Sequence, residues 1–380
     1  MRVLVIPSWY PNGEDKLMGI YHKEFTEALN IYGIEANMLF IERERISKPL
    51  NYLFMKKKEI INERNYKVYI HKLLNLEPIN FNLGMKLYTK KLEKAFKEYL
   101  KNNKKPNVIH AQVAIPAGYA ACALGKKYNI PVIVTEHYSQ FENFYKDNKY
   151  KKYSEYVFKN STYSTVSKYM RDVVLKYTNE CHIIPNLVDT KTFNNNIKRK
   201  KNKTFNLVCI CALRIGKNVD IAIKSIRKLK DKNYDIHLDI IGDGFNKDYY
   251  EQLSKELDLN KQITFHGRKT KKEIAEILKK EHALLITSRL ETFGIPGIEA
   301  MASGIPIIST NCCGPTEYIN NKVGVICNIE DVDDMTNKIQ YVINNYDKYD
   351  SDYIKKFANK YSKEEVIKKT IKLYKKINNE

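Results

Sequence analysis

The stretch from Ala283 to Ile308 constrains this chain more than any other. An apolar run, Ala283 to Ile286, leads into a tight turn rich in glycine and proline, Thr292-Phe293-Gly294-Ile295-Pro296-Gly297. A short helical segment then ends at Gly304, and a second apolar run follows. Strand, turn, helix and buried strand in that order read as one unit of an open parallel sheet. Two carboxylates, Glu291 and Glu299, bracket the turn with seven residues between them. Ligands of such sheets lie at the carboxyl ends of the strands, where both acids fall. A helix starting near Gly294 would aim backbone N–H groups at the same place, which suits an anionic or hydroxyl-rich ligand. Taken alone, the pattern also fits an ordinary βαβ unit with two solvated glutamates.

The rest of the chain repeats this alternation. Its 380 residues exceed the usual size of a single core, so two domains are expected. In the first half, residues 3–6, 35–41, 66–70, 108–111, 131–136 and 161–166 read as strands. Helical segments over 18–30, 117–128 and 168–177 alternate with them. The polar, charge-dense segment 194–203 reads as the linker. Beyond it, strands are expected at 207–211, 236–241, 263–266, 283–287 and 325–326, with helices at 219–229, 249–257, 271–279 and 331–344. The tail, 362–376, has the pattern of a basic amphipathic helix. The expected domains are therefore 1–190 and 191–361, with 362–380 as a terminal helix.

Composition narrows the possible functions. No apolar run approaches a membrane span, and the first residues lack a signal-like pattern, so a cytoplasmic protein is expected. The seven cysteines show neither a disulfide framework nor zinc-site spacing. The formal charge of +21 is spread evenly: residues 1–190 carry 30 Lys and Arg against 19 Asp and Glu, and 191–380 carry 35 against 25. A diffuse positive field suits a phosphorylated ligand, an anionic membrane surface or nucleic acid. Nucleic acid is disfavoured, because there is no repeated aromatic platform, helix-turn-helix or zinc pattern.

The run Glu291 to Pro306, with Glu, seven residues, Glu, and then Ala-Met-Ala-Ser-Gly-Ile-Pro, resembles the signature of the retaining glycosyltransferases of family 4. Ile184-Pro185-Asn186-Leu187-Val188-Asp189, Leu238 to Gly244, Phe265-His266-Gly267-Arg268 and Pro7-Ser8-Trp9-Tyr10-Pro11 extend the resemblance over essentially the whole chain. It implies a GT-B fold, α/β, with two doubly wound Rossmann-like domains facing a central cleft. The first would take the acceptor and the second the nucleotide sugar, and the terminal helix would pack back on the first.

The same resemblance suggests site residues. Lys217, between a strand and a helix, matches the family lysine that neutralises the departing diphosphate. Arg214 is either a shifted equivalent of the family arginine, which would fall at Ala212, or unrelated to it. Glu299 matches the acid that accepts hydrogen bonds from the ribose, and Glu291 the acid nearer the donor sugar. Phe293, Gly294 and Ile295 would offer backbone N–H groups. Arg268 is a candidate beside the base. His137, in Thr135-Glu136-His137-Tyr138, matches a strand-end histidine near the sugar, although Tyr138 stands where many members have Asp. Gly19 would allow close approach to the donor phosphates or the acceptor, and Gly13 is a turn residue. No metal is expected: Asp331-Val332-Asp333 and Asp350-Ser351-Asp352 have the two-acid form of metal-dependent transferases but fall late, in or beside helices.

The expected function is retaining transfer of a hexose or N-acetylhexosamine from a UDP or GDP sugar to a glycan or polyprenyl- or lipid-linked acceptor. Surface polysaccharide or glycolipid synthesis is the expected setting. The eight lysines from Lys86 to Lys105, interspersed with Leu87, Leu92, Phe96 and Leu100, and the segment 50–58 suit an anionic membrane surface. The helix carrying Leu92 and Phe96 would equally pack on its own sheet. A sugar-nucleotide epimerase or a phosphorylase is the alternative, and a nucleic-acid-binding protein is a remote one.

Overall fold

A computed structural model of the chain describes residues 1–11, 18–47, 49–139, 141–195, 197 and 203–378. The chain forms two compact units, Met1–Pro185 with Val366–Glu380, and Asn186–Glu365.

The first unit is built on an eight-stranded sheet. Its strands are β1 (Arg2–Pro7), β2 (Glu35–Glu44), β3 (Lys58–Asn62), β4 (Lys67–Leu74), β5 (Val108–Gln112), β6 (Val132–Glu136), β7 (Thr162–Thr165) and β8 (His182–Ile183). They run in the order β3-β4-β2-β1-β5-β6-β7-β8, all parallel except the edge strand β3. The strand order reverses between β1 and β5, so the carboxyl ends of these two neighbours splay around a crevice. β1 and β5 are buried almost throughout because helices cover both faces of the sheet.

The second unit holds β9 (Phe205–Ile210), β10 (Ile236–Ile241), β11 (Ile263–Gly267), β12 (Ala283–Ile286), β13 (Ile307–Thr310) and β14 (Gly324–Cys327). Their order, β11-β10-β9-β12-β13-β14, is the doubly wound arrangement with its switch point between β9 and β12.

One expectation is corrected, and one alternative is decided. Residues 186–190, expected in the first domain, belong to the second unit: Val188 bridges to Ser362, and the turn Thr190–Phe193 buries Phe193 against the helix Ile295–Ala302. The divide therefore falls at Pro185, before the segment 194–203, of which residues 196 and 198–202 lie outside the described residues. The helix Phe81–Asn102 buries Phe81, Met85, Tyr88, Leu92, Ala95, Phe96 and Tyr99 in its own unit. Leu92 and Phe96 are thus committed to the core, and the helix presents lysines rather than an apolar stripe to solvent.

The returning helix Lys363–Ile377 is tied into the first unit by a buried polar chain. Tyr374 Oη lies 2.7 Å from His110 Nδ1, His110 Nε2 lies 2.7 Å from Thr135 Oγ1, and Thr135 Oγ1 lies 2.7 Å from Ser164 Oγ. Both ring nitrogens of His110 are satisfied by hydroxyls while burial pushes its pKa down to about 3, so the ring is held neutral. The folded value lies below the ordinary 6.5, so the unfolded chain binds the extra proton. The His110 contribution is therefore complete above pH 6.5 and is lost progressively as pH falls toward about 3. Tyr374→Phe leaves one imidazole nitrogen unsatisfied and should lower the stability of the first unit by about 1–3 kcal/mol. Urea unfolding monitored by Trp9 fluorescence measures it.

Candidate functional site

In the second unit, the loops after the switch-point strands β9 and β12 bring Lys217 and Glu291 together. The Lys217 ammonium pairs with Glu291 Oε1, and both side chains are partly exposed. Burial alone would lower the Lys217 pKa, but the charge and hydrogen bond of Glu291 outweigh it and hold the lysine above its ordinary value. Around this pair the backbone is fixed. Thr287 Oγ1 donates to the Lys217 carbonyl at 2.6 Å, Ser288 Oγ donates to Glu291 Oε1 at 3.0 Å, and the Glu291 N–H donates to the Cys312 carbonyl at 2.8 Å.

The helix Ile295–Ala302 starts where the sequence places it. Gly294 is its N-cap at φ 77°, and a Cβ there would lie 2.8 Å from Pro315 Cγ and 2.9 Å from the Tyr318 hydroxyl. Only glycine holds this turn. Glu299 is buried within the helix, with Lys271 Nζ 3.9 Å from its carboxylate. Phe293 is buried against Tyr318 and Tyr361, so its ring is committed to the core of the second unit.

Arg214 is exposed, and its carbonyl accepts the Tyr250 hydroxyl at 3.1 Å. Arg268 is exposed beyond β11, 3.6 Å from Asp243 Oδ2. The two-acid motifs act as helix caps: Asp331 accepts from the Asp334 N–H, and Asp350 from those of Asp352 and Tyr353. Among the described residues, no group of three or more His, Cys, Asp and Glu could hold a metal ion.

In the first unit, His137 follows β6. Its Nε2 lies 2.6 Å from Gln112 Oε1, so that nitrogen carries the proton. The Glu136 carboxylate clamps the backbone at this point, accepting the N–H groups of Ala114, His137 and Tyr138 at 3.0, 2.9 and 2.8 Å. Burial raises the Glu136 pKa, and these bonds draw it back. Gly19, at φ 70°, caps the helix Ile20–Ile31, and a Cβ there would lie 2.5 Å from the Trp9 carbonyl oxygen. Gly13 and its neighbours at 12–17 lie outside the described residues.

Sequence reasoning missed Gln112, Ser288 and Tyr318. Tyr318 is buried with its hydroxyl donating to the Gly294 carbonyl at 2.9 Å, filling the space left by Gly294 and Gly297. The paired glycines were the only trace of it in the sequence.

The second unit is thus a parallel α/β sheet with Lys217, Glu291 and Glu299 gathered at its switch-point edge. Residues 190–361 match the glycosyl transferases group 1, and residues 55–192 match glycosyltransferase family 4. An uncharacterized glycosyltransferase of Methanocaldococcus jannaschii is 30% identical over 278 residues, covering 71% of this chain and 76% of that protein. Sucrose-phosphate synthase from Thermosynechococcus elongatus superposes with a TM-score of 0.78 at 15% identity, over 99% of each chain. The Anabaena protein HepE in complex with UDP does so with a TM-score of 0.75 at 13% identity, over 99% of this chain and 100% of that one. The chain belongs to the group 1 and family 4 type of glycosyltransferases, with the GT-B fold of two Rossmann-like domains.

Because Glu291 raises the Lys217 pKa against the effect of burial, Glu291→Gln should drop it below the ordinary lysine value. A pH titration of the Lys217 side-chain NMR signal in the two proteins checks the sign.

Proposed function

We propose that the chain is a retaining glycosyltransferase that moves a hexose or N-acetylhexosamine from a nucleoside-diphosphate sugar to a hydroxyl of a glycan or lipid-linked acceptor. The carrying observation is the Lys217–Glu291 pair at the β9/β12 switch point, with Glu299 buried in the helix behind it. In this reading the bond from the anomeric carbon to the diphosphate oxygen breaks, and a bond from that carbon to the acceptor oxygen forms on the same face. The acceptor proton passes to the leaving phosphate oxygen. Lys217 stabilises the growing charge on that diphosphate, and no metal is required for it. Glu299 accepts the ribose hydroxyls, and the backbone N–H groups at Phe293, Gly294 and Ile295 serve the sugar and phosphate. Glu291 both orients Lys217 and fixes sugar hydroxyls. On the motif resemblance, His137 acts at the reacting sugar, Gly19 admits phosphate or acceptor, Arg214 supports Lys217 and Arg268 lies at the base. The second unit is the donor domain and the first the acceptor domain.

A surface-bound acceptor is supported by the short helix Pro49–Phe54, which leaves Leu53 66% and Phe54 87% exposed just before Lys56, Lys57 and Lys58. Apolar side chains beside cations suit the anionic cytoplasmic face of a membrane, where the enzyme would bind peripherally. Among the described residues no helix is long and apolar enough to cross one.

A panel of UDP and GDP sugars, read by product mass and anomeric configuration, tests the reading. HepE with its bound UDP makes uridine donors the first arm. One donor should be used with its α configuration kept, and an inverted product rejects the mechanism. Transfer should persist in excess chelator; loss restored by magnesium or manganese would sink the metal-free part. Glu299→Ala should weaken donor binding about tenfold or more, as a lost hydrogen bond to a charged group does. His137→Ala should instead lower kcat by roughly 10²-fold, since a group at the reacting carbon acts mainly as charge develops. Calorimetry with the nucleoside diphosphate and steady-state kinetics separate the two.

A further inference from the structure

We propose that a cavity at the carboxyl edge of the first unit's sheet binds one neutral pyranose ring of the acceptor. What that ring is attached to rests on the transferase reading above, but the cavity stands on its own geometry. It has a volume of about 190 Å³, and its walls include Trp9, Arg43, Glu77, Phe81, Tyr138 and Tyr150.

Its position follows from the topology. Trp9 comes just after β1, and residues 113–116 just after β5, the two strands between which the order reverses. Glu136 and Tyr138 line it from either side of His137 at the end of β6. Arg43 lies near the end of β2, and Glu77 follows β4. Five neighbouring strands thus deliver their carboxyl ends to one concavity, the place where an open α/β sheet receives its ligand. Val113 at its wall holds φ 76°. A β-branched residue is strained there by about 1–3 kcal/mol, a cost that surrounding structure tolerates most often at ligand sites.

The lining chooses the ligand. Trp9 and Tyr138 have ring centroids 6.0 Å apart at 49°, and Phe81 and Tyr150 lie 4.7 Å apart at 72°, so the walls are aromatic faces and edges. On the polar side, Arg43 Nη1 donates to both oxygens of Glu77 at 3.0 and 2.9 Å. An anion is disfavoured, because the guanidinium already serves Glu77, the Lys149 ammonium lies over the Phe81 and Tyr150 rings at 4.7 and 5.2 Å from their centroids, and the Glu136 carboxylate lies in the same wall. A hydrocarbon tail would strip water from the Arg43–Glu77 pair without replacing its hydrogen bonds. A pyranose meets both demands: its C–H face packs on the rings while vicinal hydroxyls both donate to and accept from the planar pair.

Trp9 is the single tryptophan of the chain, so its emission reports on this wall alone. Titrating the full-length protein, without any donor, with methyl α- and β-hexopyranosides and methyl N-acetylhexosaminides should give a saturable change in Trp9 emission for at least one ring. Arg43→Ala and the near-isosteric Glu77→Gln should each weaken that response about tenfold or more. In the transfer assay, Trp9→Ala should raise the acceptor KM about tenfold. The proposal fails if emission answers octanol or inorganic phosphate but no methyl glycoside, or if no probe changes it. It also fails if both variants bind the sugar as the parent does. Because the titration contains no donor, a wrong transferase assignment would leave this result readable, and a silent cavity would leave the donor site untouched.

Discussion

The ion pair between Lys217 and Glu291 is the interaction that organises the switch-point edge of the second unit. Its two partners come from loops that follow neighbouring parallel strands, and they meet because the sheet winds outward in both directions from β9 and β12. An isolated lysine at this depth would be driven toward its neutral form by burial. Glu291 keeps it charged, and the carbonyl of Cys312 and the hydroxyl of Ser288 keep Glu291 in place. In the proposed transfer, a charge that is fixed before the diphosphate arrives would need little reorganisation as the sugar departs.

The first unit solves a different problem with uncharged groups. Its sheet must accept a helix that arrives from the far end of the chain, and it does so through the Tyr374–His110–Thr135–Ser164 chain. Every member is buried, so each hydrogen bond is strong and each omission would be costly. Two of the strands that carry this chain, β5 and β6, end at Gln112 and Glu136, with His137 just beyond. Helix attachment at one level of the sheet and histidine orientation at its edge are thus carried by the same two strands.

Glycine and aromatic residues set the shape of both ligand edges. Gly294 and Gly297 leave the space that the Tyr318 hydroxyl fills, and Gly19 lets its helix start against the Trp9 carbonyl. A side chain at Gly19 would meet the Trp9 backbone, and one at Gly294 or Gly297 would meet the Tyr318 hydroxyl.

Local pattern determined much of this protein. Apolar runs bounded by turn residues located the parallel strands other than β8 to within a few residues, and Gly294 announced the start of the helix that carries Glu299. The spacing of Glu291 and Glu299 pointed to a ligand edge because strand, turn and helix each have a fixed period that spacing can reveal. Contacts between residues far apart in sequence carry no such period. Nothing local shows that Glu291 reaches back to Lys217, that Gln112 orients His137, or that Tyr374 closes on His110. Leu92 and Phe96 illustrate the same limit, since an amphipathic pattern predicts a buried face without saying what buries it. Those partners were decided only by the order in which the strands assembled, which sets the residues that become neighbours at each carboxyl edge.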